Sequence, residues 1–185
     1  LPVRCVMHRS EIPTAAAVVF ILAACEAAPF ASRDDVSFNP NEVAWAKQRG
    51  ANTIVGTAQL KAGDGVTRSC ASLSVRLAPD SSYTRERVEL LYGDADAAYV
   101  SATEAKRARA RPGANVKASY EKSLKAATCD ARGRFTFKNL PDGTYYVMAP
   151  VVWRGKIGEV SEGGFFMQRV TVEGGETARL AMNTR

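Results

Sequence analysis

Reactive side chains are few in this chain and unevenly placed. Cysteines stand at Cys5, Cys25, Cys70 and Cys129, and the sole histidine is His8. A Ser-His-Asp or Cys-His mechanism needs an imidazole base, and zinc sites draw on imidazoles or clustered thiolates. If the segment holding His8 is removed on export, the mature chain can run neither. Ser119-x-x-Lys122 has the nucleophile and base spacing of some acylases. Its companion Ser-Asp-Asn and Lys-Thr-Gly motifs are missing, so the match reads as chance. Asp94 and Asp96 open like a calcium loop, but Tyr99 stands where such a loop needs glycine. No glycine-rich phosphate cradle occurs either. The expectation is a non-enzymatic protein with no catalytic residue, metal ligand or cofactor.

Cys25 is the exception. From Met7 the chain begins with a short polar stretch carrying one arginine, and an apolar run follows over residues 15–22. With its alanine flanks that run is about ten residues long, too short to span a bilayer, which takes about 20, and right for an export signal. Leu22-Ala23-Ala24-Cys25 is similar to a bacterial lipobox. There the cysteine thiol takes a diacylglyceryl group, and the small residues before it admit the peptidase. Each buried CH₂ adds ~0.8 kcal/mol, so two or three acyl chains hold a protein to a membrane. This implies a signal peptide over 1–24, lipidation at Cys25 and residence in the bacterial envelope, facing the periplasm.

Cys5 leaves with the signal and Cys25 carries lipid, which leaves Cys70 and Cys129. In an oxidising compartment two such cysteines are expected to pair. The bridge would close a loop of about 58 residues, worth roughly 4 kcal/mol on a chain-entropy estimate. A second chemical feature is the basic run from Lys106 to Gly113. Its Arg107, Arg109 and Arg111 are candidate contacts for an anionic ligand, although a solvated loop tip would read the same way. Nucleic acid is not expected, because no aromatic residues are interleaved with the arginines. A third is a strip of Tyr146, Met148 and Trp153 that could face a sugar, against the blander reading of core packing. The net charge of +6 is moderate and falls to about +5 without residues 1–24.

The elements that position these residues are mostly strands. Residues 26–40 carry two prolines and no sustained period, as a tether would. Residues 41–48 suggest a short helix capped by Asn41 and ended by Gly50. Strands are expected over 53–61 and 72–77, the second alternating Leu73, Val75 and Leu77 against polar residues. Residues 134–138 and 144–148 read as a hairpin around Leu140-Pro141-Asp142-Gly143. Residues 165–172 and 177–182 read as another around Gly174-Gly175. The stretch 81–125 differs, with a helical turn or two over 84–92.

The pattern Asp130-x-x-Gly133-x-Phe135-x-Phe137-x-x-Leu140-Pro141-x-Gly143-x-Tyr145-x-Val147 resembles the signature of carboxypeptidase regulatory-like domains, of the transthyretin-like (prealbumin-like) group. Ile54-x-Gly56-x-Ala58, Val75-x-Leu77-x-Pro79 and Gly174-Gly175-Glu176-Thr177-x-x-Leu180 extend the resemblance. It implies an all-β fold: a single transthyretin-like sandwich of about seven strands over 51–185, with 81–125 as a short helical, basic insertion. Residues 25–50 would be the lipidated N-terminus, the tether and the short helix. The group's 5-hydroxyisourate hydrolases rely on histidines and a terminal Tyr-Arg-Gly-Ser, neither of which the mature chain offers. Function is therefore expected to be structural or protein-interacting, at the membrane through the lipid. The alternative is an envelope carbohydrate- or lipid-binding module, so the partner would be another envelope protein or a glycan.

Overall fold

The computed structural model describes residues 37–110, 118–155 and 161–184. Segment 1–24, Cys25 and Arg111 lie outside the described residues. Within them, alternating apolar residues build two facing sheets. The strands are β1 (Asn52–Lys61), β2 (Thr67–Ser69), β3 (Ser74–Pro79), β4 (Ala97–Ser101), β5 (Lys125–Thr128), β6 (Arg134–Leu140), β7 (Gly143–Arg154), β8 (Ser161–Val172) and β9 (Thr177–Asn183). In the first sheet β1 is antiparallel to β2 and β6 and parallel to β9. The second sheet runs β4-β8-β7-β3-β5, antiparallel throughout. An all-β sandwich is thus what the chain forms, with more strands than the seven or so expected.

Both expected hairpins prove to be crossings between sheets. β6 pairs with β1, whereas β7 pairs with β3 and β8. Likewise β8 belongs to the second sheet and β9 to the first. Phe135 and Phe137 therefore meet Tyr145 and Val147 across the core, not side by side on one sheet, and all four are buried in it. The first crossing runs through residues 139–142. Asn139 takes a left-handed conformation at φ 57°. Leu140, fully buried, then leads the chain through the core edge before β7 begins.

Asn52 locks these two crossings together. Its amide nitrogen donates to the Leu140 carbonyl (3.1 Å) and to Asp142 Oδ1 (2.8 Å). Its oxygen accepts from the amides of Gly175 (2.7 Å) and Glu176 (2.9 Å). A 3₁₀ helix (Pro40–Lys47) covers the same end, burying Val43 and Ala46. Its cap is Asn39, not Asn41: the Asn39 side chain accepts from the Asn41 amide, and Gln48 ends the helix. Gly50 has a different task, since any Cβ there would strike the Leu140 carbonyl. The folded body therefore starts before Ala51, with Phe38 stacked edge-on against Tyr83 and Tyr120.

Residues 81–125 are built into the fold more fully than an insertion would be. They supply α1 (Ser82–Tyr92), the edge strand β4, α2 (Ala102–Arg109) and α3 (Ala118–Glu121). Ser81 caps α1, and the Glu42 carboxylate accepts from the Ser82 amide (2.8 Å) and hydroxyl. A capping box of Ser101 and Glu104 starts α2. Tyr83, Val88 and Tyr120 then pack on Ala78, Tyr146 and Met167, making a second, smaller core on the outer face of the five-stranded sheet.

Cys70 and Cys129 form the expected disulfide, with Cα atoms 5.8 Å apart and both side chains buried.

Candidate functional site

Of the candidate arginines, two lie among the described residues, and they point different ways. Arg107 and Arg109 lie in the last turn of α2. Two residues of helix turn them about 200° apart, so they face different surroundings. Arg109 places its guanidinium 4.8 Å above the Phe165 ring and lines a groove beside α1 and α3. Arg107 is exposed, and its charge acts on Glu104, whose carboxyl is held below the usual range mainly by hydrogen bonds from Ser101. Arg111 lies outside the described residues.

The aromatic strip is also divided. Alternation along β7 sends Tyr146 and Met148 to the helix-covered face, where Tyr146 is fully buried. Trp153 lies on the opposite, inner face with Tyr145 and Val147. Ser119 and Lys122 are both exposed. Asp94 is committed to its own turn, accepting from the amides of Asp96 and Ala97, and Asp96 pairs with Arg169 at 3.7 Å.

Trp153 stands at the end of the sandwich away from Asn52, where described residues of both sheets line a cleft of about 330 Å³. That volume lies near the lower end of the range for small-ligand pockets. Its walls come from the end of β1 (Leu60, Lys61), from Tyr99 and Ser101 of β4, and from Trp153 and Glu162, which face each other across β7 and β8. The indole N–H donates to Glu162 Oε2 at 2.9 Å. Above the indole sits the Arg68 guanidinium, 4.4 Å from the ring centroid, held by paired hydrogen bonds to Asp64 of 3.0 and 2.8 Å. The Asp64 carboxylate in turn raises the Arg68 pKa.

Gly163 and Gly164 explain how two rings fit at this end. A Cβ on Gly163, whose φ is +85°, would come within 2.6 Å of the indole. One on Gly164 would come within 2.7 Å of the Tyr99 ring. The Tyr99 ring rests against Phe166 at 4.9 Å, and burial pushes its phenol pKa up. Chemically the cleft offers half-buried aromatic rings beside the Glu162 carboxylate and the Lys61 ammonium, with the Arg68 guanidinium over the indole and the Ser101 hydroxyl already held in its capping box. Such a set can pack the C–H face of a sugar while bonding its hydroxyls.

Sequence reasoning found Trp153 but missed Tyr99, Arg68 and Glu162. The available signal was the Gly-Gly pair inside a strand, which marks a close approach of neighbouring groups.

No protein-family model and no curated protein matches the chain. Among solved structures, it is similar to a crystal structure from Pseudomonas aeruginosa named a "putative carbohydrate binding protein". The match has a TM-score of 0.65 and 25% identity, and covers 80% of this chain and 98% of that one.

Proposed function

We propose that this protein is a non-catalytic carbohydrate-binding module of the bacterial envelope, taking sugar at the Trp153 cleft. The observation that carries the reading is the Trp153–Tyr99 pair at the open end of the sandwich, with Arg68 and Glu162 fixed beside the indole. The likeness to the Pseudomonas aeruginosa structure supports it and favours sugar binding over a purely protein-interacting role. Attachment rests on the Leu22-Ala23-Ala24-Cys25 motif. Lipid on Cys25 would hold the chain at a membrane, with the sandwich carried on residues 26–36.

A glycan array probed with the purified full chain tests this reading. Envelope-type oligosaccharides should be retained by the wild-type protein and lost by Trp153→Ala, with an unchanged melting curve. An empty array would overturn it, as would retention unaffected by Trp153→Ala; a protein co-purifying from solubilised membranes would then favour the interaction role. For the anchor, Cys25→Ser should block palmitate labelling and precursor cleavage in cells, and normal processing of that variant would remove the lipid from the proposal.

A further inference from the structure

A second groove lies on the other side of the five-stranded sheet, roofed by α1, α2 and α3. Its volume is about 310 Å³, and most of the side chains lining it are apolar or aromatic. The floor is Met148, Pro150 and Phe165, with Val88 alongside. Arg76, Arg87 and Arg109 line it against one carboxylate, Glu121, among the described residues. Arg76 and Glu121 approach only to 3.9 Å, and both are half exposed. Arg109 is placed differently, because its guanidinium lies on Phe165. A planar cation over a ring is held in position while its edge N–H groups stay free to meet an anion.

We propose that this groove binds a small amphiphile with an anionic head, the apolar body lying on Phe165, Pro150 and Met148 and the head meeting Arg109 and Arg76. Two features select that class. An apolar floor rewards burial of hydrocarbon, and among the described residues Arg76 and Arg109 face the single carboxylate of Glu121 at the rim, which favours an anionic head over a neutral or cationic one. A groove flanked by three helices also takes a single molecule more readily than it docks on a bilayer surface. The site is separate from the Trp153 cleft and goes beyond the sugar-binding reading.

Titration calorimetry on the purified full chain, with ligands kept below their micelle concentrations, gives the test. Decanoate and decyl sulfate should bind saturably, one per chain, with decanol and decyl maltoside about tenfold weaker or worse. Arg109→Gln should cost the anions about tenfold and leave decanol unchanged. If that variant melts early, the wild-type protein still decides: affinity for decanoate should fall with added salt, and that for decanol should not. Equal binding of decanol and decanoate would overturn the proposal. So would binding to phosphatidylglycerol vesicles that decanoate cannot compete, which would point to a bilayer surface. Trp153→Ala should leave decanoate binding intact, so failure of the sugar reading and failure of this one are distinguishable.

Discussion

Asn52 carries more of the fold than any apolar side chain of its size could. It has no solvent exposure, and both ends of its amide are used: two donated and two accepted bonds tie β1 to the 139–142 and 173–176 turns. Removing the amide takes a partner from the buried Leu140 carbonyl and from the part-buried Gly175 N–H, while the Glu176 N–H keeps the Glu173 carbonyl at 3.2 Å; each unsatisfied buried group costs about 1–3 kcal/mol. Asn52→Ala is therefore expected to destabilise by about 3 kcal/mol or more, read as a drop in urea midpoint with little change in slope. A loss below about 1 kcal/mol would show that water replaces the amide. Tyrosines give a second residue-scale expectation. Tyr92, Tyr120, Tyr145 and Tyr146 all have phenol pKa values raised chiefly by burial. In the unfolded chain they ionise near pH 10, while in the fold they keep their protons. Their contribution is thus whole below about pH 10 and lost as the pH climbs past it. Absorbance at 295 nm should rise in one step together with loss of far-UV circular dichroism. Gradual ionisation with the sheets intact would contradict the burial assigned to these rings.

Strands β1 and β6 meet through a contact that explains a glycine. Gly56 lies opposite Phe135 in register, and the Phe135 ring occupies the space a side chain at 56 would need. Gly56→Ala should cost about 1–3 kcal/mol by overpacking. Phe135→Leu in the same chain should recover part of that loss, and strict additivity in the double-mutant cycle would refute the contact. The sequence pattern placed Phe135 and Phe137 in the core correctly, because alternation along a strand is a local property. It misjudged partners. Pro-Asp-Gly and Gly-Gly turns reverse the chain equally well within a sheet or between sheets. What selects the crossing is long-range: Leu140 buried at the core edge, Trp45 laid over Gly143, and Asn52 bonded to both turns. The open-end cleft was half legible for the same reason. Trp153 stood out by type, but Arg68 and Tyr99 reach it only through the pairing of β1 with β2 and of β4 with β8. The stretch 81–125 hid its edge strand because Ala97–Ser101 is short and barely alternates.

Among the described residues the chain passes between the two sheets four times, and each pair of crossings has its own fastener. The passages from β6 to β7 and from β8 to β9 are joined by Asn52. Those from β2 to β3 and from β5 to β6 are joined by Cys70–Cys129. Backbone bonds reinforce the second pair, since the Cys129 amide donates to Leu73 and the Ser72 amide to the Cys129 carbonyl. Such connections bring together strands distant in sequence, so the cost of closing their loops must be met before the core forms. The disulfide reduces that cost in the unfolded chain, by roughly 4 kcal/mol for a loop of this length on the entropy model. Paired replacement of Cys70 and Cys129 by alanine is accordingly expected to lower stability by about 2–4 kcal/mol. Refolding should slow more than unfolding quickens, because the bridge acts on the open chain and the native contacts around it persist. Stopped-flow chevrons of the oxidised and alanine proteins would separate the two. A loss that appears wholly in the unfolding limb would mean the bridge holds native packing together instead of shortening the search for it.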